Sequence, residues 1–159
     1  MPNLDGEKVK GAVRGVLSGD QDATSKARSD QFAVKRFVTL PPIALTANTS
    51  TTQTIIPVLD RAIRVTRLRF FTSAAQASSS DGWTFAVKYD DGAGGASTST
   101  ASFTTTGNAI AANNSYSSAA TVVDVAAGKR LFLAATEAHA GGAAANAMTI
   151  TCSVEYDEA

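Results

Sequence analysis

Hydrophobic and polar residues alternate with a period of two from Phe32 onward, in short runs that are rich in β-branched side chains and separated by turn residues. The alternation is cleanest in WTFAVKY, residues 83–89, and in MTITCSVEY, residues 148–156. Each of these runs has one apolar and one polar side, which is typical of a strand with one buried and one solvent-facing surface. The pattern predicts strands at 33–40, 43–47, 53–58, 62–73, 83–89, 97–105, 119–125, 130–136 and 148–156.

The turn residues between these runs indicate one all-β domain over residues 32–159. Pro41 and Pro42 separate the first two runs because proline cannot donate a ladder hydrogen bond, and Asp-Asp-Gly at 90–92 is a hairpin-turn signal. Residues 92–120 are mostly small and polar, which predicts an extended hairpin or a long surface loop. With no helical pattern inside this region, the predicted fold is a β-sandwich wired as a jelly roll.

Residues 1–31 differ from the rest and are predicted to form an N-terminal arm, extended or partly helical. Their apolar residues fall at the spacing of an amphipathic helix: Val9, Val13, Val16 and Leu17. Gly11 and Gly15 each weaken that helix by about 1 kcal/mol relative to alanine. The polar residues that follow are typical of a linker or of a segment that orders on a partner. A terminus without a function is the alternative interpretation.

Charge is balanced over the whole chain but not along it. Of the 159 residues 18% are charged and the net charge is zero, which disfavours a nucleic-acid or anionic-membrane partner. Residues 1–72 hold eleven lysines and arginines against six acidic residues, whereas residues 73–159 hold three against eight. The single cysteine, Cys152, excludes an internal disulfide and is predicted to be a small core residue. No apolar run approaches the length of a membrane span, and residues 1–17 do not have the pattern of a signal peptide.

Groups suited to catalysis are scarce, so the sequence predicts neither an enzyme nor a cofactor. His139 is the only histidine and lies in a predicted glycine- and alanine-rich loop, where a solvated side chain is favoured over a general base. Asp81, Asp90 and Asp91 lack the ligand spacing of a calcium loop, which favours a plain turn at 90–92. A hydrolase would need two carboxylates that converge in an apolar cleft. A small-molecule ligand is not expected.

Four aromatic residues permit an alternative, that of a carbohydrate-binding module, an adhesin or a head-fibre base: Trp83, Tyr89, Phe103 and Tyr116. Exposed together, they would form a stacking platform for sugars or bases. Trp83 and Tyr89 instead share the parity of Phe85 and Val87, which favours the sandwich core. Exposure of Trp83 and Tyr89 would support the carbohydrate interpretation, and their burial would remove its platform.

One predicted strand concentrates cations, in the run RAIRVTRLRFFT at 61–72. Its apolar parity changes between Val65 and Leu68, and a β-bulge near Thr66 and Arg67 would account for the change by inserting one residue. The bulge would place the last three arginines of the run on one solvent-facing surface. A nucleic-acid groove, an acidic protein partner and a solvated face are the three interpretations. Because the sequence has neither a recognition helix nor paired RNA-binding aromatic residues, the nucleic-acid groove is disfavoured. The predicted interface residues are Arg61, Arg64, Arg67, Arg69, Val9, Val13, Val16 and Leu17.

Two patterns follow each other towards the end of the chain: VVDVAAGKRLFL at 122–133, then a glycine- and alanine-rich loop and MTITCSVEY at 148–156. Through them, and through composition and strand rhythm over 33–156, the chain resembles the small jelly-roll virion proteins of tailed bacteriophages, the capsid decoration or cement proteins and head-fibre bases. The resemblance implies a homotrimer, made in the host cytoplasm and bound to the capsid exterior, that reinforces junctions between capsomers. The implied partners are the major capsid protein and sister subunits, with no nucleic acid and no membrane.

Overall fold

The computed structural model of the protein describes residues 35–77, 81–92, 96–139 and 144–159. These residues form ten β-strands in two antiparallel sheets, and none of them is helical. The strands are β1 Arg36–Thr39, β2 Ile43–Leu45, β3 Thr51–Ile56, β4 Ile63–Thr72, β5 Asp81–Asp90, β6 Thr98–Thr104, β7 Asn114–Ser117, β8 Val123–Val125, β9 Arg130–His139 and β10 Met148–Glu158. The predicted all-β sandwich is confirmed. The predicted arm, residues 1–31, lies outside the described residues.

Both sheets have the strand order of a jelly roll. In the first, called sheet A, β10 and β4 lie at the centre, with β1 and β2 beside β10 and with β7 and β8 beside β4. The second, called sheet B, has the order β3-β9-β5-β6. β1 and β2 share one position in sheet A, beside β10, and β7 and β8 share another, beside β4. When the positions are numbered in chain order, their order across the sheet is 1-8-3-6 in sheet A and 2-7-4-5 in sheet B. This interleaving is that of a jelly-roll sandwich, as the sequence predicts.

The core lies between the sheets and is built by the inward side chains of the central strands. Trp83 and Phe85 of β5 are fully buried and belong to one apolar cluster with Ile150 and Val154 of β10. These inward positions are the ones that the alternation predicts for the two strands. Cys152 lies in the same cluster, as predicted, and burial raises the pKa of its thiol to about 12.

Strand β4 contains the predicted bulge. Its register against β10 passes from Arg67 opposite Glu155 to Val65 opposite Tyr156, which leaves Thr66 as the inserted residue. On its other side β4 pairs with β8 before the bulge and with β7 after it. This edge of sheet A is therefore divided into two short strands at the level of the bulge.

The opposite edge of sheet A is divided as well. β1 ends before Pro41 and Pro42, and β2 begins after them. Between the two strands, the backbone N–H of Leu40 donates to the carbonyl oxygen of Cys152 at 2.8 Å, which keeps the chain beside β10. Very short edge strands and edge prolines both hinder pairing with another sheet. Both edges of sheet A consist of very short strands, and the edge with β1 and β2 has the prolines as well.

Most strand bounds lie within two or three residues of the predicted ones, and three elements differ more in kind. The sequence does not predict β7, because NSYS has no apolar alternation. β9 continues to His139 rather than ending at residue 136, and the backbone of His139 pairs with Asp81. His139 therefore belongs to a strand and not to the predicted loop. β8 has three residues instead of the seven predicted at 119–125.

Candidate interaction surface

The last three arginines of the predicted cationic strand lie on the outer surface of sheet A, called the sheet A face. Cα pairing aligns two rows across this face: Phe37, Glu155 and Arg67 form the first, and Thr39, Ser153, Arg69 and Ser117 form the second. The bulge is responsible for this arrangement, because without the inserted Thr66 the arginines on its two sides would take opposite faces. The predicted grouping of these arginines is confirmed.

A buried carboxylate, Glu155, lies at the centre of the sheet A face, where the sequence predicts a solvent-facing side chain. Its exposed fraction is 3%. Lys35 Nζ contacts Oε1 at 2.5 Å, and Arg69 Nη2 contacts Oε2 at 2.9 Å. The hydroxyl of Thr66 lies 3.2 Å from Oε1 and 3.2 Å from the backbone carbonyl oxygen of Glu155. The bulge residue therefore links the carboxylate to the strand that carries the arginines.

The surroundings of Glu155 keep it ionised. The hydrogen bond from Lys35 has the largest influence, and with those from Arg69 and Thr66 it lowers the pKa of Glu155 from 4.5 to about 2. Burial acts in the opposite direction because it disfavours the charged form. Arg67 lies directly across from Glu155 on β4. Lys35, Arg67 and Arg69 are thus three cations beside two anions, Glu155 and Asp157, the second of which lies two positions further along β10 on the same face. The local charge remains positive.

The structure separates the four predicted interface arginines into two groups. Three of them bind carboxylates of the same chain: Arg61 binds Glu158 at 2.8 Å, Arg64 binds Asp124 at 2.7 Å and Arg69 binds Glu155. Within the described ranges, every lysine and arginine except Arg67 and Lys88 takes part in an ion pair. Most of these cations thus pair with acidic residues of the same chain, which the sequence pattern does not predict. The apolar arm residues, Val9, Val13, Val16 and Leu17, lie outside the described residues.

A groove of about 450 Å³ opens on the sheet A face. Serine and threonine side chains line it together with Arg69, Phe71 and Tyr116. Phe71 is 41% exposed and Phe37 is 53% exposed. The guanidinium of Arg69 lies 5.9 Å from the centroid of the Phe37 ring, within the range of a cation–π contact. The face therefore offers apolar as well as cationic surface, and the exposed phenylalanines were not among the predicted interface residues.

The four aromatic residues that could have formed an exposed platform pack in or against the core instead, as the shared parity of Trp83 and Tyr89 with Phe85 favours. Trp83 is fully buried, and its indole N–H donates to the carbonyl oxygen of Asn146 at 2.9 Å. Tyr89, Phe103 and Tyr116 are partly buried and pack against the core cluster. Their apolar surface stabilises the sandwich, so these four residues do not form a stacking surface for a sugar.

The acidic residues at the end of β5 are held by ion pairs. Asp90 accepts hydrogen bonds from Arg130 and from the backbone N–H of Gly92, and Asp91 pairs with Lys129. The hydrogen bond from Arg130 lowers the pKa of Asp90. In the part of the chain that the structure describes, no group of three or more His, Cys, Asp and Glu residues is placed to hold a metal ion. No helix in the described ranges is long and apolar enough to cross a membrane.

Comparisons with known proteins add little to these observations. No protein-family model matches the chain, and no curated protein matches it. Among solved structures, the chain is similar to a chain in the structure of infectious bursal disease virus, Gx strain, with 12% sequence identity and a TM-score of 0.38. The match covers 77% of this chain and 33% of that one, so this chain spans about a third of its length. At this identity and TM-score the similarity carries no argument about family or function.

Proposed function

We propose that the protein is a non-enzymatic virion structural protein that binds the exterior of a capsid and stabilises the junctions between capsomers. The observation that carries the proposal is the jelly-roll strand order, because viral capsid and lectin domains use this sandwich. Burial of Trp83 counts against a lectin. The resemblance of the sequence to phage decoration proteins supports the virion role and suggests the capsid exterior as its place.

The composition of the sheet A face supports a protein partner. Arginine and aromatic residues are enriched at protein interfaces, and arginine pairs with carboxylates in a fixed planar geometry. Arg67, Phe37 and Phe71 supply these side chains on one face. In the proposed arrangement, the arm orders on a neighbouring subunit of the shell and the sheet A face lies against a protein surface.

Deletion of residues 1–31 tests the attachment directly. The probe is the capsid shell of the virus that encodes the chain, prepared without this protein, and the measurement is co-sedimentation of the added protein. We expect the deletion to abolish binding while circular dichroism and the melting temperature of the β domain stay unchanged. A chain whose residues 18–31 are shuffled, with the apolar stripe intact, is the matched control and should still bind.

Two results would contradict the proposal. Full binding of the deleted chain would show that the arm is not the attachment. Absence of the protein from purified virions, measured by mass spectrometry, would remove the virion role altogether.

A further inference from the structure

The described β domain leaves one exposed carboxylate and one cation of sheet A outside its ion pairs. Arg67 is the cation, since Oε1 of Glu155 is bound by Lys35 and Oε2 by Arg69. Asp60 is the carboxylate, because it is exposed and forms no ion pair with any described residue. The two side chains have opposite charge: Arg67 lies on the sheet A face, and Asp60 lies between β3 and β4.

Asp60 lies on a turn that is held in one conformation. The turn, residues 57–60, is called the knob. Its third residue, Leu59, is buried, donates its N–H to the carbonyl oxygen of Lys129 at 2.9 Å and accepts the N–H of Gly128 at 2.8 Å. Val58, on one side of this anchor, is 59% exposed. A preorganised turn loses little conformational entropy on binding, so the knob presents an apolar and an acidic side chain at low cost.

Arg67 and Asp60 cannot meet within one chain. They are seven positions apart, and the intervening residues enter the extended strand β4, which separates the two Cα atoms by roughly 20 Å. A second copy can supply the missing partner. The local excess of positive charge around Arg67 favours a carboxylate there, and the exposed ring of Phe71 beside the groove offers apolar surface to Val58.

We propose that the knob of one copy docks on the sheet A face of a second copy, with Asp60 paired to Arg67 and Val58 packed against Phe71. The contact joins two different surfaces, so each copy uses its own knob and its own face. Such a heterologous contact closes into a ring when the rotation between copies permits it and otherwise extends as a chain of subunits. The inference gives the sister subunit a defined docking site, and it does not depend on attachment to a capsid.

Neutralising either member of the pair tests the contact. The probe is the full-length protein itself, and the measurement is its mass by sedimentation equilibrium over a range of concentrations. We expect Arg67→Gln and Asp60→Asn each to raise the dissociation constant of the assembly about tenfold. Lys88→Gln is the matched control, because Lys88 lies on β5 of sheet B and, like Arg67, forms no ion pair with a described residue. It should leave the dissociation constant unchanged.

Charge reversal provides the rescue. Arg67→Glu and Asp60→Arg should each disrupt the assembly. The double variant should restore it, because the reversed pair is again complementary at every contact between copies. Melting temperatures confirm that each variant is folded.

The inference would be overturned if the full-length protein remained monomeric up to about 100 μM, roughly the range of weak association. It would also be overturned if neither neutral variant changed the dissociation constant, or if the double charge reversal did not restore assembly. Assembly that required an added oligonucleotide would contradict it as well. A monomer that still binds capsid shells would overturn this contact and leave the proposed function standing.

Discussion

The outer faces of the two sheets follow the same alternation but are built from different residues. Across the middle of its four strands sheet B presents small side chains, with Thr52, Ala134, Ala86 and Ser102 aligned, and its buried ion pair, Asp90 with Arg130, lies at the end of β5 and β9. Sheet A presents a buried carboxylate, the cations around it and two exposed phenylalanines. The charged network on sheet A therefore calls for a separate explanation.

Part of that explanation is structural. Burying a carboxylate costs free energy unless cations and hydrogen bonds compensate for it, and Glu155 has both. Its bond with Thr66 lies at the bulge, so the network stabilises the point where β4 changes register. Arg67 forms no ion pair with the described residues of this network. The stability of the fold therefore explains Lys35, Arg69 and Glu155, whereas the side chain of Arg67 remains available to a partner.

Removal of the carboxylate should have the largest effect. We expect Glu155→Ala to lower the free energy of unfolding by about 3 kcal/mol, the low end for breaking a buried ion pair, because Lys35 and Arg69 keep contact with water. Thr136→Ala, at an exposed position of sheet B, should stay within about 0.5 kcal/mol of the wild type. Urea unfolding followed by the fluorescence of buried Trp83 measures both. Equal effects of the two variants would mean that the faces do not differ in energy.

Sheet B has one small residue that should not tolerate change. A Cβ atom on Gly82 would lie 2.2 Å from Oγ1 of Thr105, and that oxygen accepts the N–H of Trp83 at 2.9 Å. We expect Gly82→Ala to destabilise the fold by about 2 kcal/mol through overpacking. Thr105→Ala removes the obstructing oxygen, so the double variant should lose less than the sum of the two single losses. Strict additivity in urea unfolding would show that the two residues do not clash.

Acid should reduce the difference in stability between the wild type and a variant with a neutral side chain at position 155. The pKa of Glu155 is lowered by folding, so its contribution to stability is fully present above the ordinary value of 4.5 and is lost as the pH falls towards about 2. Glu155→Gln should therefore be less stable than the wild type at pH 7, and the gap should close between pH 4.5 and 2. Urea midpoints across this range measure it. A gap that stays constant with pH would mean that the carboxylate charge contributes nothing.

Short-range pattern was sufficient to predict the features of this fold that depend on parity. The alternation in β5 and β10 and the parity change at Thr66 can both be seen within a few residues of sequence. β7 could not be predicted in this way, since its small polar residues pair with β4 without an apolar pattern. Its position depends on the sheet and not on its own composition.

The ion pairs of the sheet A face were beyond sequence reasoning for a different reason. Lys35 comes just before β1, Arg69 from β4 and Glu155 from β10. These three residues are far apart in the chain, and their meeting depends on the registers of β1 and β4 against β10. A single sequence shows that Glu155 has the outward parity but not that two cations will lie against it. For the same reason, the sequence grouped four arginines that the structure separates: three bind carboxylates of the chain, and Arg67 forms no ion pair with any residue of the described ranges.

The smallest effect is expected at an exposed ion pair at the end of sheet B. Lys129 pairs with Asp91 in the turn region, where the carboxylate is largely exposed. Exposed pairs contribute little, because water and salt screen them and two flexible side chains must be ordered. Lys129→Gln should therefore leave the urea midpoint of unfolding indistinguishable from that of the wild type at both low and high salt. A clear, salt-dependent loss of stability would show that a single exposed pair stabilises this sandwich as much as the buried network does. The energetic difference between the two faces would then depend on position and not on burial.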